Sequence, residues 1–289
     1  MQLPRITVIT PNFNQEKFIE ATILSVVSQG YPNLEYIIVD GGSTDGSVNI
    51  IKKYASQLAY WESKSDNGQY DAVQKGFSKA TGEIMTYINS DDILAPRSLF
   101  TVAQIFMDYP QVKWLGGIPN HIDEIGRNVS IGKYEQWNKY RYLNLDFKYI
   151  QQEGVFWRTS LWHEAGGYIS TKYKLASDLE LWSRFFQHAD MYMLPSFLGS
   201  FRTRSQNQKS LEGMSAYLAE AKEILLRMDR TEAERKVIAT SKCLLYRICK
   251  KKTLKPLFNL LGFNRIQLQV NNYPRAFSFE RTSQKFILE

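Results

Sequence analysis

The feature that most constrains this chain is the order of its first ninety residues, in which short apolar runs alternate with helical periodicity and end on acids or turn residues. Ile6 to Thr10 is a β-branched, apolar run broken by Pro11 and Asn12. A helix follows, with Asn14 as its expected N-cap, Ile19, Ile23, Val26 and Val27 at helical spacing, and Gly30 as its stop. Tyr36 to Val39 is a second strand ending at Asp40, and a helix runs through Ile50, Ile51 and Tyr54. Leu58 to Glu62 is the third strand, and the helix after it carries Ala72, Gly76 and Ala80 on one face. Ile84 to Ile88 is the fourth, ending at Asn89-Ser90-Asp91-Asp92. This βαβαβαβ order predicts an α/β fold with a mostly parallel, Rossmann-like sheet and helices on both faces. Such sheets bind ligands at the carboxyl ends of their strands. Asp40, Asp66, Asp91 and Asp92 all follow strand ends, so four acids are expected to share one crevice.

The bulk properties narrow the function classes. A chain of 289 residues allows one large domain, or a domain with an appendage. The net charge of +7 suits a phosphate-bearing ligand or an anionic membrane surface. No nucleic-acid motif accompanies it, and no nucleic-acid partner is expected. Cys243 and Cys249 suggest neither a disulfide framework nor a metal knuckle. A strand begins almost at once and no apolar run nears a membrane span, so a cytoplasmic protein, soluble or peripheral, is expected.

Several motifs carry chemistry, each with a plainer reading. Asn89 to Asp92 either holds a divalent cation through oxygen ligands or caps the next helix. Asp40 and Asp66 in the same crevice favour the cation. Gly41 to Gly46 is a turn whose backbone can approach a ligand closely, while Ser43 or Asp45 caps a helix. Lys75 either meets a phosphate or is a solvated helix lysine. His121, His163 and His188 have no ligand-spaced partner. Trp157 and Trp182 are expected in the core, and Trp137 against acceptor sugar or another subunit.

Taken in order, these segments resemble the family 2 glycosyltransferases. Val39-Asp40-Gly41-Gly42-Ser43-Thr44-Asp45-Gly46 is similar to that family's "VDDGSTDGT" signature, and Thr10 to Asn14 to its "PxYN" element. Asp66 to Gly76 with Thr81-Gly82-Glu83-Ile84 resembles a stretch of the bacterial surface-polysaccharide members, and Asn89 to Asp92 stands at their DXD-type metal motif. The likeness continues over Gln152 to Arg158 and Glu164 to Tyr168, and ends at Ser177-Asp178-Leu179-Glu180-Leu181-Trp182, similar to "E-D-x-D-L-W".

The resemblance implies a GT-A fold and an inverting transfer of a sugar from a nucleotide donor to a glycan or lipid-linked glycan hydroxyl, in O-antigen, capsule or exopolysaccharide assembly. A UDP-hexose or UDP-N-acetylhexosamine is the expected donor, with dTDP- and GDP-sugars open. Thr10, Pro11, Asn12 and Asn14 would form one wall of the donor site, Asp40, Gly42, Asp66 and Gly68 another. Asp71, Lys75, Asn89, Asp91 and Arg204 would complete it, Asp91 and Asp92 would hold Mg or Mn, and Asp178 would be the general base. This chain departs from the pattern at Asn89, which cannot supply a first charge, and at Ser177, which leaves Glu180 as a competing base. In Arg202-Thr203-Arg204 the family's histidine is missing, while Arg204 keeps a diphosphate role.

The expected division is a catalytic domain over 1–205, with a donor half to 110 and an acceptor half beyond, then a mainly helical extension over 206–289. Residues 117 to 150 are expected to set acceptor specificity. In the extension, Lys250-Lys251-Lys252 beside Leu244, Leu245 and Leu257 reads either as a membrane-surface helix or as a solvated helix end. Two other functions stay open. A sugar nucleotidyltransferase would need a Gly-rich basic loop that Thr10 to Asn14 lacks, and a non-catalytic nucleotide-sugar binder would need no base.

Overall fold

The computed structural model describes residues 2–144, 150–205, 213–250 and 252–289. Its first strands and helices follow the expected alternation: β1 (Ile6–Asn12), α1 (Ile19–Val27), β2 (Leu34–Asp40), α2 (Ser47–Lys53), β3 (Tyr60–Ser63), α3 (Gln69–Phe77) and β4 (Ile84–Tyr87). Next come β5 (Ile93–Leu94), α4 (Ser98–Asp108), β6 (Trp114–Gly116), β7 (Asn120–Ile122), β8 (Asn128–Ile131) and α5 (Lys139–Leu143). The elements up to residue 205 end with β9 (Val155–Arg158), α6 (Thr159–Glu164), α7 (Ser177–His188), β10 (Met191–Met193) and β11 (Gly199–Arg202).

Among the described residues the main sheet runs β10-β6-β9-β4-β1-β2-β3, and β9 is antiparallel to both of its neighbours while the other pairs are parallel. Because β1 pairs with β2 on one side and β4 on the other, the chain order reverses at β1, where an open α/β sheet leaves its crevice. A second sheet, β5-β11-β7-β8, stands beside the end of β4.

Strand alternation splits the core into two layers. Ile6, Val8, Tyr36 and Ile38 pack beneath α1, α2 and α4. Ile9, Ile37, Val39, Met85 and Trp157 pack beneath α3, α6 and α7. Trp114, Trp157, Trp182 and Phe185 form one aromatic group there, with Trp114 and Trp182 stacked at 5.7 Å. Trp157 and Trp182 are core residues, as expected, but Trp137 is only 3% exposed and carries the Arg141 guanidinium 3.9 Å above its ring. It therefore belongs to the packing and not to an open surface.

Local expectations fail where turn chemistry overrides periodicity. The third strand starts at Tyr60 because Ala55–Gln57 add a 3-10 turn after α2. The run Tyr192 to Phe201 is two strands in different sheets, since Pro195 cannot donate to a ladder. Asn14 is no N-cap: α1 starts at Ile19, and Asn14 has φ 52 in the loop before it.

The extension is not a simple appendage. Its first helix, α8 (Met214–Arg227), sends Ala221, Ile224 and Leu225 into the main core. The predicted start at Leu211 lies outside the described residues. Helices α9 (Glu232–Lys242), α10 (Leu244–Cys249), α11 (Lys255–Leu260) and α12 (Phe263–Val270) follow. The chain then forms a hairpin, β12 (Phe277–Glu280) and β13 (Lys285–Leu288), whose Phe277 packs on Tyr109 and Tyr192. Packing therefore does not break at residue 205.

Gly199 fixes how the second sheet meets β9, because a Cβ there would collide with the Glu153 backbone carbonyl. Gly199→Ala is expected to cost about 2 kcal/mol or more by overpacking. Gly154→Ala, whose Cβ would meet nothing nearer than 3.5 Å, serves as the control in the same thermal unfolding series.

Candidate active site

The crevice is built first from the β1 and β2 ends. Asp40 is fully buried and both of its oxygens are occupied. Asn12 Nδ2 donates to Oδ1 at 2.6 Å, and Gly42 N, Ser43 N and Ser63 Oγ donate to Oδ2 at 3.1, 2.9 and 2.6 Å. Burial alone would raise the Asp40 pKa, but hydrogen bonds from Ser43, Ser63 and Asn12 outweigh it and hold the carboxyl below its ordinary value. Asp40 thus shapes the glycine turn through both of its oxygens. Thr10 is likewise buried against the Tyr36 hydroxyl at 3.0 Å. Pro11 is buried in β1 beside it.

The turn leaves room for Asp66. A Cβ on Gly41 would stand 2.9 Å from Asp66 Oδ2, so only glycine lets that carboxylate lie over the turn. Gly42 at φ +82 and Gly68 at φ +111 adopt backbone that glycine favours. Asp66 Oδ1 accepts from Gly68 N at 2.8 Å, which fixes the start of α3. Asn14 ties the two loops together: its N donates to Ser43 Oγ at 2.8 Å and its Oδ1 accepts from Thr44 N at 2.9 Å. Asp71 accepts from Asn67 N at 2.9 Å and pairs with Lys75 at 3.0 Å, so Lys75 is held on its own helix.

The β4 end carries the acidic group. Asp91 keeps a partly exposed carboxylate, paired with Arg204 at 3.0 Å. Asp92 is 1% exposed, so of the two acids Asp91 is the one open to the cleft. Its Oδ1 accepts from Arg202 N at 2.7 Å and its Oδ2 from Asn89 Nδ2 at 3.2 Å. Asn89 Oδ1 in turn accepts from Gln69 Nε2 at 2.7 Å, so its amide is committed on both sides.

Glu153, which sequence reasoning did not single out, hydrogen-bonds the Asp92 side chain. Burial raises both carboxyls, Glu153 to about 7 and Asp92 well above its ordinary value, with each other's charge adding at Asp92. Two buried acids in contact cannot both ionise, so the pair keeps at least one proton between them. Arg202 was also missed. It is 2% exposed, donates from Nε to the Asp91 carbonyl at 2.6 Å and from NH1 to the Asp123 and Glu124 carbonyls, and so clamps the motif to the second sheet. In the sequence Glu153 stands between Gln152 and the strand from Gly154, where it is indistinguishable from a surface acid.

Asp178 faces this group from α7. It occupies the second position of that helix and its Oδ1 accepts from Leu179 N at 2.8 Å. Burial pushes its pKa up to about 6. Glu180, the competing candidate, is bound on both oxygens by Arg184 at 2.8 and 2.9 Å. The loop before α7 is held by Glu220 of α8, which accepts from the N–H groups of Lys174, Leu175 and Ala176 at 3.0, 2.9 and 3.0 Å. The buried Tyr87 hydroxyl is raised first by burial and then by the charges of Tyr70, Asp178, Glu153 and Asp92, which places the β4 end, Glu153 and Asp178 in one neighbourhood.

The arrangement can hold a cation only in part. Among the described residues, no three His, Cys, Asp or Glu side chains form a metal cluster by themselves. Asp91 is the accessible carboxylate, and a hard cation there would draw its remaining oxygens from ligand phosphate and water, as Mg²⁺ sites do.

The comparisons with known proteins agree with this geometry. A glycosyltransferase of Nostoc sp. is 32% identical over 127 residues, 43% of this chain and 38% of that protein. TuaG of Bacillus subtilis, named a candidate glycosyltransferase of teichuronic acid biosynthesis, is 37% identical over 94 residues, 31% of this chain and 36% of its own length. The chain thus spans well under half the length of these curated relatives. The solved structure of Staphylococcus aureus TarS residues 1–349 with UDP-GlcNAc superposes with a TM-score of 0.65 at 20% identity, over 92% of this chain and 79% of that one. The mannosyltransferase PcManGT of Pyrobaculum calidifontis, solved with GDP-Man and Mn²⁺, gives 0.62 at 18% identity, over 93% and 81%. These two show a shared GT-A fold. The model of the "Glycosyl transferase family 2" matches residues 7–163, more than half of the sequence, and the chain belongs to that family.

Proposed function

We propose that the protein is an inverting glycosyltransferase that moves a sugar from a nucleotide donor to a hydroxyl of a glycan or lipid-linked glycan in bacterial polysaccharide assembly. The observation that carries this reading is the pairing of an accessible Asp91 on the β4 end with a partly buried Asp178 of raised pKa on the facing helix. The name of TuaG supports polysaccharide assembly, and the ligands of the TarS and PcManGT structures support a nucleotide-sugar donor. A UDP-sugar is the favoured donor.

In this mechanism the nucleoside lies along the β1 and β2 ends, against Pro11, the Gly41-Gly42 backbone and Asp66. The diphosphate reaches Asp91 and Arg204, whose ion pair it would open. A divalent cation, Mg²⁺ or Mn²⁺, held by Asp91 would supply charge neutralisation for the leaving diphosphate. The chain's own contribution is positional. Asp92 takes no part as a direct ligand and instead fixes the backbone of Asp91, with Glu153 and Arg202. Asp178 accepts the proton of the acceptor hydroxyl as that oxygen attacks from the face opposite the leaving group. A base with a pKa near 6 is ionised at neutral pH and still basic enough to be useful.

The sign of the pH dependence follows from that shift. Because the folded Asp178 pKa is raised from 3.8 to about 6, kcat/KM should fall tenfold per pH unit below about 6. The same shift favours the folded state below about pH 4, and that contribution is lost as pH rises through about 6, so activity and this part of stability move oppositely. Asp178→Asn should lower kcat by about 10²- to 10⁴-fold, and Glu180→Gln should leave the acid limb in place. An acid limb that survives in Asp178→Asn would assign the base elsewhere.

Donor choice is tested by calorimetric titration of UDP, dTDP and GDP, each with Mn²⁺ and with EDTA. Metal-dependent binding of one nucleotide, weakened about tenfold or more by Asp91→Ala, is expected. Failure of all three to bind in either condition would remove the donor site and favour a scaffold role.

A further inference from the structure

The charge of this chain is segregated in a way the catalytic site does not explain. Between Arg235 and Phe279 the sequence contains no acid and ten lysines or arginines. The whole chain nets +7, so all other residues together net −3. The basic excess of the protein therefore lies entirely in α9 to α12 and their flanks.

The same helices expose apolar side chains on one side. Tyr246, Cys249 and Phe258 form a small core between α10 and α11, with Phe263 and Ile266 against it. This core uses the inner faces only. On the outer face of α10 stand Leu244, Leu245 and Ile248, exposed by 71%, 51% and 42%. Leu257, Leu260 and Leu261 occupy the outer face of α11 at the i, i+3, i+4 spacing of one stripe, and Leu260 is 83% exposed. Leu268 on α12 is 72% exposed. Lys242, Arg247, Lys250, Lys255 and Arg265 are exposed around these leucines, and among the described residues none of the five is in a salt bridge. Lys251 lies outside the described residues.

Leucines ringed by unpaired cations suit one kind of partner: a surface with an apolar interior and an anionic skin. A second copy of this chain would bring the same cations face to face, and a soluble anion would leave the leucines in water. We infer that the α10–α12 face docks the protein onto an anionic phospholipid bilayer. No helix of the described residues is long and apolar enough to cross a membrane, so the contact is interfacial.

The module is also tied to the acceptor half. Asn138 Nδ2 donates to the Val270 and Asn272 carbonyls at 2.9 and 3.2 Å, Gln136 Nε2 to the Pro274 carbonyl at 3.1 Å, and Lys139 pairs with Glu234 at 2.7 Å. The segment it grips, 133–137, borders a cavity of about 200 Å³ at the β6 and β10 ends, lined by Lys133, Glu135, Trp137 and Met193 among others. Docking would thus hold the acceptor half against the bilayer. This deepens the glycosyltransferase reading by selecting a lipid-linked acceptor over a free glycan.

The test is sedimentation of the full chain with vesicles of phosphatidylcholine alone or mixed with phosphatidylglycerol. Binding to the mixed vesicles, weakened by added salt and absent from phosphatidylcholine alone, is expected. The double variant Leu244→Glu/Leu260→Glu should lose binding by about tenfold or more, and Lys250→Glu/Arg265→Glu likewise. All four side chains are solvent-facing, so both variants should keep the parent circular dichroism and nucleotide affinity, which separates this test from that of the donor site. Equal binding to both vesicle types, or unchanged binding by either variant, overturns the inference. So does a concentration-dependent dimer that the leucine variant abolishes without any vesicle binding, which would make the face a contact between copies.

Discussion

The carboxyl of Asp92 is the point on which the site's geometry depends. It ends the strand that the sheet reversal places beside β1, yet it is buried and accepts a backbone N–H from Arg202 in the second sheet. Its own carbonyl takes the Thr22 hydroxyl of α1 at 2.7 Å, and its side chain hydrogen-bonds Glu153 in the turn before β9. One residue, through its side chain and its carbonyl, therefore joins the loop after β4 to the turn before β9, to β11 and to α1. Ionised and alone in that position it would be strongly destabilising, and the hydrogen bond with Glu153 together with two N–H donors makes it tolerable. With Asp92 and the Arg202 guanidinium fixing the backbone, Asp91 is left with its carboxylate at the cleft.

The opposite wall is set by a different device. Asp178 is aimed by a loop whose three successive N–H groups converge on Glu220, a residue of α8. The helix that the sequence suggests is peripheral thus holds the candidate base, and its apolar face lies in the main core. The two walls share no covalent element. They are brought together because β9 runs antiparallel between β4 and β6, which returns Glu153 to the β4 end.

What was legible in the sequence follows the range of the interactions. The parallel half-sheet could be read because β1, β2 and β4 are apolar on both faces and each is followed by its own helix. The convergence of acids at strand ends followed from that topology. Which acids face the cleft did not, since Asp40, Asp91 and Asp92 look alike in sequence and are separated only by partners from distant segments: Ser63 for Asp40, Arg204 for Asp91, Arg202 and Glu153 for Asp92. Between the two candidate bases, Asp178 and Glu180, the structure shows Glu180 tied to Arg184, one helical turn later, at an i, i+4 spacing visible in the sequence. The single strand expected over Tyr192 to Phe201 was misread for lack of the tertiary context that splits it between two sheets, and the burial of Trp137 was likewise invisible in the sequence.

The central claim is that the buried Asp92–Glu153 contact keeps a proton and so fixes the Asp91 backbone. Infrared difference spectroscopy at pH 7 tests it by looking for the carbonyl stretch of a protonated carboxylic acid. The account predicts such a band in the parent protein, its loss in the double variant Asp92→Asn/Glu153→Gln, which removes both carboxyls, and its persistence in Asp178→Asn. Absence of the band in the parent, or its survival in the double variant, would contradict the buried proton and with it this explanation of the site.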